Sequence, residues 1–278
     1  MTYLIHGATG AQGAPVVAAL VRADPDVVAA VRDPSRYTGP GTASAADLTD
    51  TDSLSAAYSD SDGVFVYIPV GGPDPQLAQA EAVVAAVGRA RPARVVLTTS
   101  GAPLEGDGAV AVLVRGLQAT GVSLAVVAPR LHLENLVLPT VIGPVRAEGV
   151  PRYPIREDYA VSWSSHLDVA EVVARLLQDA TVTGVVGVGA AGGYLGADLA
   201  SGLGQCFGRK VRFEAQDPAD VRADLTPMLG DAAAESVAAS YVLRLSQPGD
   251  VIDPATSAQN MLGLAPRSIM EWLHDVGI

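Results

Sequence analysis

A glycine-spaced turn, Gly7-Ala8-Thr9-Gly10-Ala11-Gln12-Gly13, directly follows a short apolar run and opens a stretch of helical character. This arrangement limits the fold more than any other feature of the chain. Gly7 permits the sharp reversal, Gly10 leaves room for another group to approach the backbone, and Gly13 lets the following helix pack closely on the strand. Short apolar runs then recur. Tyr3–His6, Val27–Val31, Gly63–Ile68, Arg94–Thr99 and Ser123–Ala128 read as strands. Between them, spacing predicts helices over Gln12–Ala23, Asp52–Ser59, Pro75–Arg89 and Gly108–Thr120, so that five strands alternate with four helices in about the first 130 residues. Strands this apolar, alternating with helices, imply a parallel sheet covered on both faces.

The later half is less regular. Tyr153 to Ser165 is rich in Tyr, Trp, Pro and Ser, which suits an irregular segment walling a pocket. Val169, Val172, Val173 and Leu176 predict a helix over His166–Asp179, followed by a returning strand at Val182–Val188 and a helix at Gly196–Phe207. Helices are also expected between Pro218 and Leu245 and over Pro266–Val276. The expected architecture is α/β: a Rossmann-type doubly wound parallel sheet over residues 1–150, and a smaller mixed, mainly α-helical substrate region over 151–278 whose returning strand can join the main sheet.

Composition removes several classes of function. With 18 Lys+Arg against 30 Asp+Glu the net charge is −12, and Lys210 is the only lysine. Clustered cations for a phosphodiester backbone are missing, so nucleic acid is not an expected partner. The single Cys206 excludes an intrachain disulfide and a thiolate cluster. No His/acid spacing of the metalloenzyme type is present, so no metal is expected. The longest uncharged stretch, Ala180 to Ala197, is broken by six glycines and does not read as a membrane helix. Met1-Thr2-Tyr3-Leu4-Ile5 runs straight into the glycine turn without a targeting pattern, and a cytoplasmic location is expected.

A strand, a glycine turn and a helix N-terminus together form a cradle for the pyrophosphate of a dinucleotide, built from Gly7, Thr9, Gly10, Ala11, Gln12 and Gly13. The tip of the second strand reads Arg32-Asp33-Pro34-Ser35-Arg36. A planar guanidinium there pairs with a 2′-phosphate, so Arg32, helped by Ser35 or Arg36, points to NADP(H), while Asp33 keeps NAD(H) as the minority alternative.

In order along the chain, GATGAQG, VRDPSR, Ala46-Asp47-Leu48, Leu97-Thr98-Thr99-Ser100-Gly101-Ala102, Pro129 to Glu134-Asn135, Ser165-His166-Leu167-Asp168-Val169-Ala170 and Gly263-Leu264-Ala265-Pro266-Arg267-Ser268 resemble the NmrA-like, atypical branch of the short-chain dehydrogenases/reductases. That branch includes NAD(P)H-dependent quinone oxidoreductases. The resemblance implies that Asp47 and Leu48 lie near the adenine, that Tyr67-Ile68-Pro69 line the adenosine side, and that Ser100 and Gly101 meet the nicotinamide ribose. It also places His132 and Asn135 beside the nicotinamide as catalytic candidates, and Leu131, Tyr153, Tyr159 and Trp163 around a flat substrate. His132 stands where the family has an aromatic residue and Ala128 where it has Arg.

The better-known short-chain dehydrogenases pair a Tyr with a Lys one helical turn later, and with Lys210 alone and Cys206 four residues before it that pair is not expected. Hydride transfer to an electron-poor carbon asks mainly for orientation. The leading expectation is therefore an NADPH-dependent reductase of a quinone-like or enone aromatic substrate, with a role in aromatic natural-product biosynthesis in view. A non-catalytic NADP(H)-binding redox sensor and a reductase or isomerase of another small carbonyl compound are the alternatives, and a homodimer through helices such as Gly108–Thr120 stays open.

Overall fold

A computed structural model describes residues 1–23 and 25–278. Seven strands build one sheet: β1 (Thr2–His6), β2 (Asp26–Val31), β3 (Thr42–Ala45), β4 (Gly63–Val66), β5 (Arg94–Thr98), β6 (Ser123–Pro129) and β7 (Gly184–Val188). They lie in the order β3-β2-β1-β4-β5-β6-β7 and all pair in parallel. The order reverses at β1 and β4, which opens a crevice beyond the carboxyl ends of these strands.

Both faces of the sheet are buried, which is why its strands read as unbroken apolar runs. One face sends Tyr3, Ile5, Val27, Phe65, Val96 and Val127 into a core shared with α1 (Gly13–Arg22) and α6 (His166–Gln178). The alternate residues, Leu4, Val64, Val66, Val95, Leu97 and Val126, pack on α2 (Thr51–Ser59), α3 (Pro73–Ala90) and α4 (Ala109–Thr120). Buried Arg94 at the base of β5 donates to the Leu176 carbonyl and the Ser123 hydroxyl, fastening α6 beneath the sheet.

Among the elements that the sequence reading did not include are β3 and α5 (Pro139–Glu148). β3, Thr-Ala-Ser-Ala, carries no large apolar side chain; it forms because its backbone completes the edge of β2, with Val28 opposite Thr42 and Val31 opposite Ala45. The helix α5 was hidden by Gly143-Pro144, which reads as a breaker.

The expected cut at residue 150 is crossed by α6 and β7, which belong to the sheet layer although they come later in the chain. What remains builds a separate core from Leu133, Leu136, Tyr153, Tyr159 and Trp163 with α5, α7 (Gly196–Phe207), α8 (Pro218–Leu229), α9 (Asp231–Leu245) and the last helix, α11 (Ile269–Asp275), α10 being Ala258–Leu262. Three two-residue parallel pairs stitch this region: Leu131–His132 with Trp163–Ser164, Arg152–Tyr153 with Glu214–Ala215, and Ala160–Val161 with Gly249–Asp250. Among the described residues no helix is long and apolar enough to cross a membrane.

Candidate functional site

The glycine turn sits at the mouth of the crevice. Gly7 has φ +62°, and a Cβ there would collide with the ring of Tyr67, which follows β4 and lies over the turn. Its carbonyl accepts from the Gly10 N–H at 2.7 Å, closing the turn. A Cβ on Gly13 would collide with the Gly7 carbonyl, so α1 can start this close to β1 only with glycine at that position. At Gly10 a Cβ would lie 3.3 Å from the Gly7 oxygen, and a larger side chain would fill the space above the turn. The opening N–H groups of α1 have no intrahelical acceptor and favour an anion. Backbone donors, a helix start and glycine at positions 7, 10 and 13 fit a pyrophosphate, with the Tyr67 ring beside it.

Beside the turn, Gln12 caps α1 and exchanges hydrogen bonds with Ser100 beyond β5: its Nε2 donates to the Ser100 hydroxyl at 2.9 Å, and the hydroxyl is 3.1 Å from its Oε1. Ser100 has φ +52° and Gly101 φ +85°. A Cβ on Gly101 would collide with the Arg130 carbonyl, so the ends of β5 and β6 approach closely there.

At the other end of the crevice Arg32 is exposed and has no ion-pair or hydrogen-bond partner among the described residues. Asp33 is occupied instead. One of its carboxylate oxygens accepts from the Ser35 N–H at 3.1 Å and the Ser35 hydroxyl at 2.6 Å, capping a single 3₁₀ turn, Pro34–Arg36. Asp47 follows β3; the Thr49 N–H and hydroxyl hold its carboxyl below the usual range, with Arg32 adding to the effect. Leu48 is half-buried beside it, Ile68 is buried and Pro69 half-buried.

After β6, His132 meets His166 with ring centroids 4.5 Å apart and ring planes tilted by 57°. Burial, and then His166, push the His132 imidazole down to about 3, and burial pushes His166 down to about 4. Glu134 accepts from the His166 backbone N–H at 2.8 Å and the Trp272 indole N–H at 3.2 Å. Asn135 donates to the Tyr153 hydroxyl at 3.0 Å, and that hydroxyl bonds in turn to Tyr241.

Residues 7–119 match the NAD(P)H-binding family model. A sequence search of curated proteins gave no match. Solved structures resemble the whole chain. The NADPH-dependent quinone oxidoreductase of Escherichia coli, complexed with NADPH, is 21% identical over 99% of each chain with a TM-score of 0.78. Triphenylmethane reductase from a Citrobacter species, complexed with NADP(H), is 16% identical over 98% of each chain with a TM-score of 0.80. A nucleoside-diphosphate-sugar epimerase from Staphylococcus aureus is 16% identical over 98% of this chain and 99% of its own, with a TM-score of 0.78. At these identities the likeness establishes the fold, and with the family match it agrees with the NmrA-like resemblance.

Within the matched residues the structure brings Gly7, Gly10, Gly13, Gln12, Ser100 and Gly101 together at one end of the crevice, and Arg32, Asp47 and Leu48 at the tips of β2 and β3. The substrate-side expectations fare differently. Tyr153, Tyr159 and Trp163 are at most 2% exposed and form a packed core with Leu131, so they are not an open wall. His132 is 8% exposed, and burial, with His166 beside it, pushes its imidazole down to about 3. Asn135 spends its amide on Tyr153. Arg130, just past β6, stands beside Gly101 and pairs with Asp250 at 3.0 Å.

Proposed function

We propose that this chain is an NADPH-dependent reductase of a quinone-like or conjugated enone acceptor. The observation that carries the cofactor preference is the tip of β2: Asp33 is engaged within its own turn, which leaves the Arg32 guanidinium as the group presented toward a 2′-phosphate. The activities of the quinone oxidoreductase and triphenylmethane reductase neighbours support hydride transfer to a conjugated acceptor. The nicotinamide, when bound, supplies the hydride. The chain positions the reaction: the glycine turn and the start of α1 hold the pyrophosphate, Asp47 and Leu48 flank the adenine, and Ser100, fixed by Gln12, meets the ribose beside the nicotinamide. A conjugated acceptor spreads the incoming charge over its own oxygen, so it needs no strong acid, and an adjacent donor or solvent water supplies the proton.

The test sets NADPH oxidation against a panel of quinones and enones beside a direct NADPH-binding titration. Turnover with at least one acceptor is the expected result. Tight NADPH binding without turnover of any acceptor would support a redox sensor instead.

A further inference from the structure

His132, Glu134 and His166 lie outside the cofactor turn, and hydride transfer leaves them without a task. Each offers a ligand atom, and these atoms lie within 4.8 Å of one another. Neither ring nitrogen of His132 has a hydrogen-bond partner, although both are buried. Glu134 is oriented from outside: two N–H groups, from the His166 backbone and from Trp272, fix one carboxylate oxygen and leave the other buried and unpartnered. Donors arranged around one oxygen in this way are how proteins aim a ligating carboxylate. Ser164, opposite His132 in the parallel pair, adds a buried hydroxyl that is also without a partner. Buried polar atoms are nearly always satisfied, so four orphans on three neighbouring residues call for an occupant.

We propose that His132, Glu134 and His166 form a binding site for a borderline divalent transition-metal ion of the zinc type. Two imidazoles and one carboxylate match the preference of Zn²⁺ and Co²⁺, whereas Mg²⁺ and Ca²⁺ favour all-oxygen sets. A fourth position falls to water or to the Ser164 hydroxyl. His166 and Glu134 are partly exposed, with side-chain exposures of 13% and 24%, and give the ion its way in from solvent. Bound there, the ion ties the loop after β6 to the start of α6 and, through Trp272, to α11, so its role is to clamp the substrate-side core.

The test uses tag-free, chelator-treated protein titrated with Co²⁺, read by its visible absorption and by tryptophan fluorescence. The chain has two tryptophans, Trp163 and Trp272; the second is hydrogen-bonded to Glu134, and the first is adjacent to Ser164. One equivalent of Co²⁺ per chain should quench the fluorescence and raise the melting temperature. His132→Phe, which keeps the volume filled, and Glu134→Gln, which keeps an acceptor for Trp272, should each weaken binding by about tenfold or more. His274→Ala, at a histidine whose side chain is 91% exposed, should bind like wild type. Absence of saturable one-equivalent binding by wild type would overturn the proposal and leave ordered water as the occupant. So would binding that survives both site variants or disappears in His274→Ala.

Discussion

Gly10 and Gly13 belong to one turn yet answer to different constraints, and substitution should separate them. Gly13→Ala drives a methyl group into the Gly7 carbonyl and should destabilise the fold by about 1–3 kcal/mol, seen in urea denaturation. Gly10→Val fills the space above the turn instead; its circular dichroism should stay native while NADPH affinity falls at least about 100-fold in a titration. At the other end of the crevice, Arg32→Ala should lose about 1–3 kcal/mol of NADPH affinity and little NADH affinity. Equal dissociation constants for the two cofactors in wild type would show that the guanidinium does not select. His6 gives a pH dependence. Burial beside the Tyr58 hydroxyl pushes it down to about 4 in the folded chain, below its value of about 6.5 when unfolded. The unfolded chain therefore binds the proton more readily, so the neutral imidazole's contribution is full above about pH 6.5 and is lost as pH falls toward 4, an effect on the order of 3 kcal/mol. The stability difference between wild type and His6→Gln, measured by denaturation at stepped pH, should shift against wild type by roughly that amount across this window; a constant difference would refute the coupling. The cofactor turn was legible from residue type and spacing. The burial of His132 was not, because it depends on Trp163–Ser164 pairing alongside and the tilted His166 ring packing against it, more than thirty residues away in the chain.

At the scale of elements, α6 joins the two halves of the chain. Its apolar face lies under the sheet, while its first turn carries the Ser165–Asp168 capping box. Asp168 is 4% exposed and accepts from Arg267, whose guanidinium reaches Asp168, Glu171 and Asp275 at 2.8, 2.7 and 2.8 Å. Arg267→Ala should cost about 2–4 kcal/mol in chemical denaturation, because a buried carboxylate loses its cation while keeping only its hydrogen bonds to N–H and hydroxyl groups. Arg267→Lys should recover only part of the loss, since an ammonium does not span three carboxylates as a planar fork does. A variant as stable as wild type would show that the capping box alone settles Asp168. The helices and central strands were readable because burial on both faces leaves an apolar record in the residues themselves. β3 and α5 left none: one is held by its neighbour's backbone, and the other carries an internal Pro144.

Across the whole molecule, both tryptophans lie in the substrate-side core, whereas the expected cofactor cradle rests on the sheet. Because α6 serves both regions, they should unfold together. Tryptophan fluorescence and far-ultraviolet circular dichroism should then give coincident transitions, and NADPH at about 100 times its dissociation constant should stabilise both by about 2.7 kcal/mol. A fluorescence transition that ignores NADPH would mean that the two cores are independent. The same connectivity bears on synthesis. Asp168 is made about a hundred residues before Arg267 reaches it, and Glu134 waits longer still for Trp272. A nascent chain leaving the ribosome can assemble β1 to β6 in sequence, but its substrate-side core stays open until α11 has emerged. A polypeptide released before that point exposes an apolar interior to proteases and chaperones, so survival in the cell becomes conditional on synthesis having passed α11.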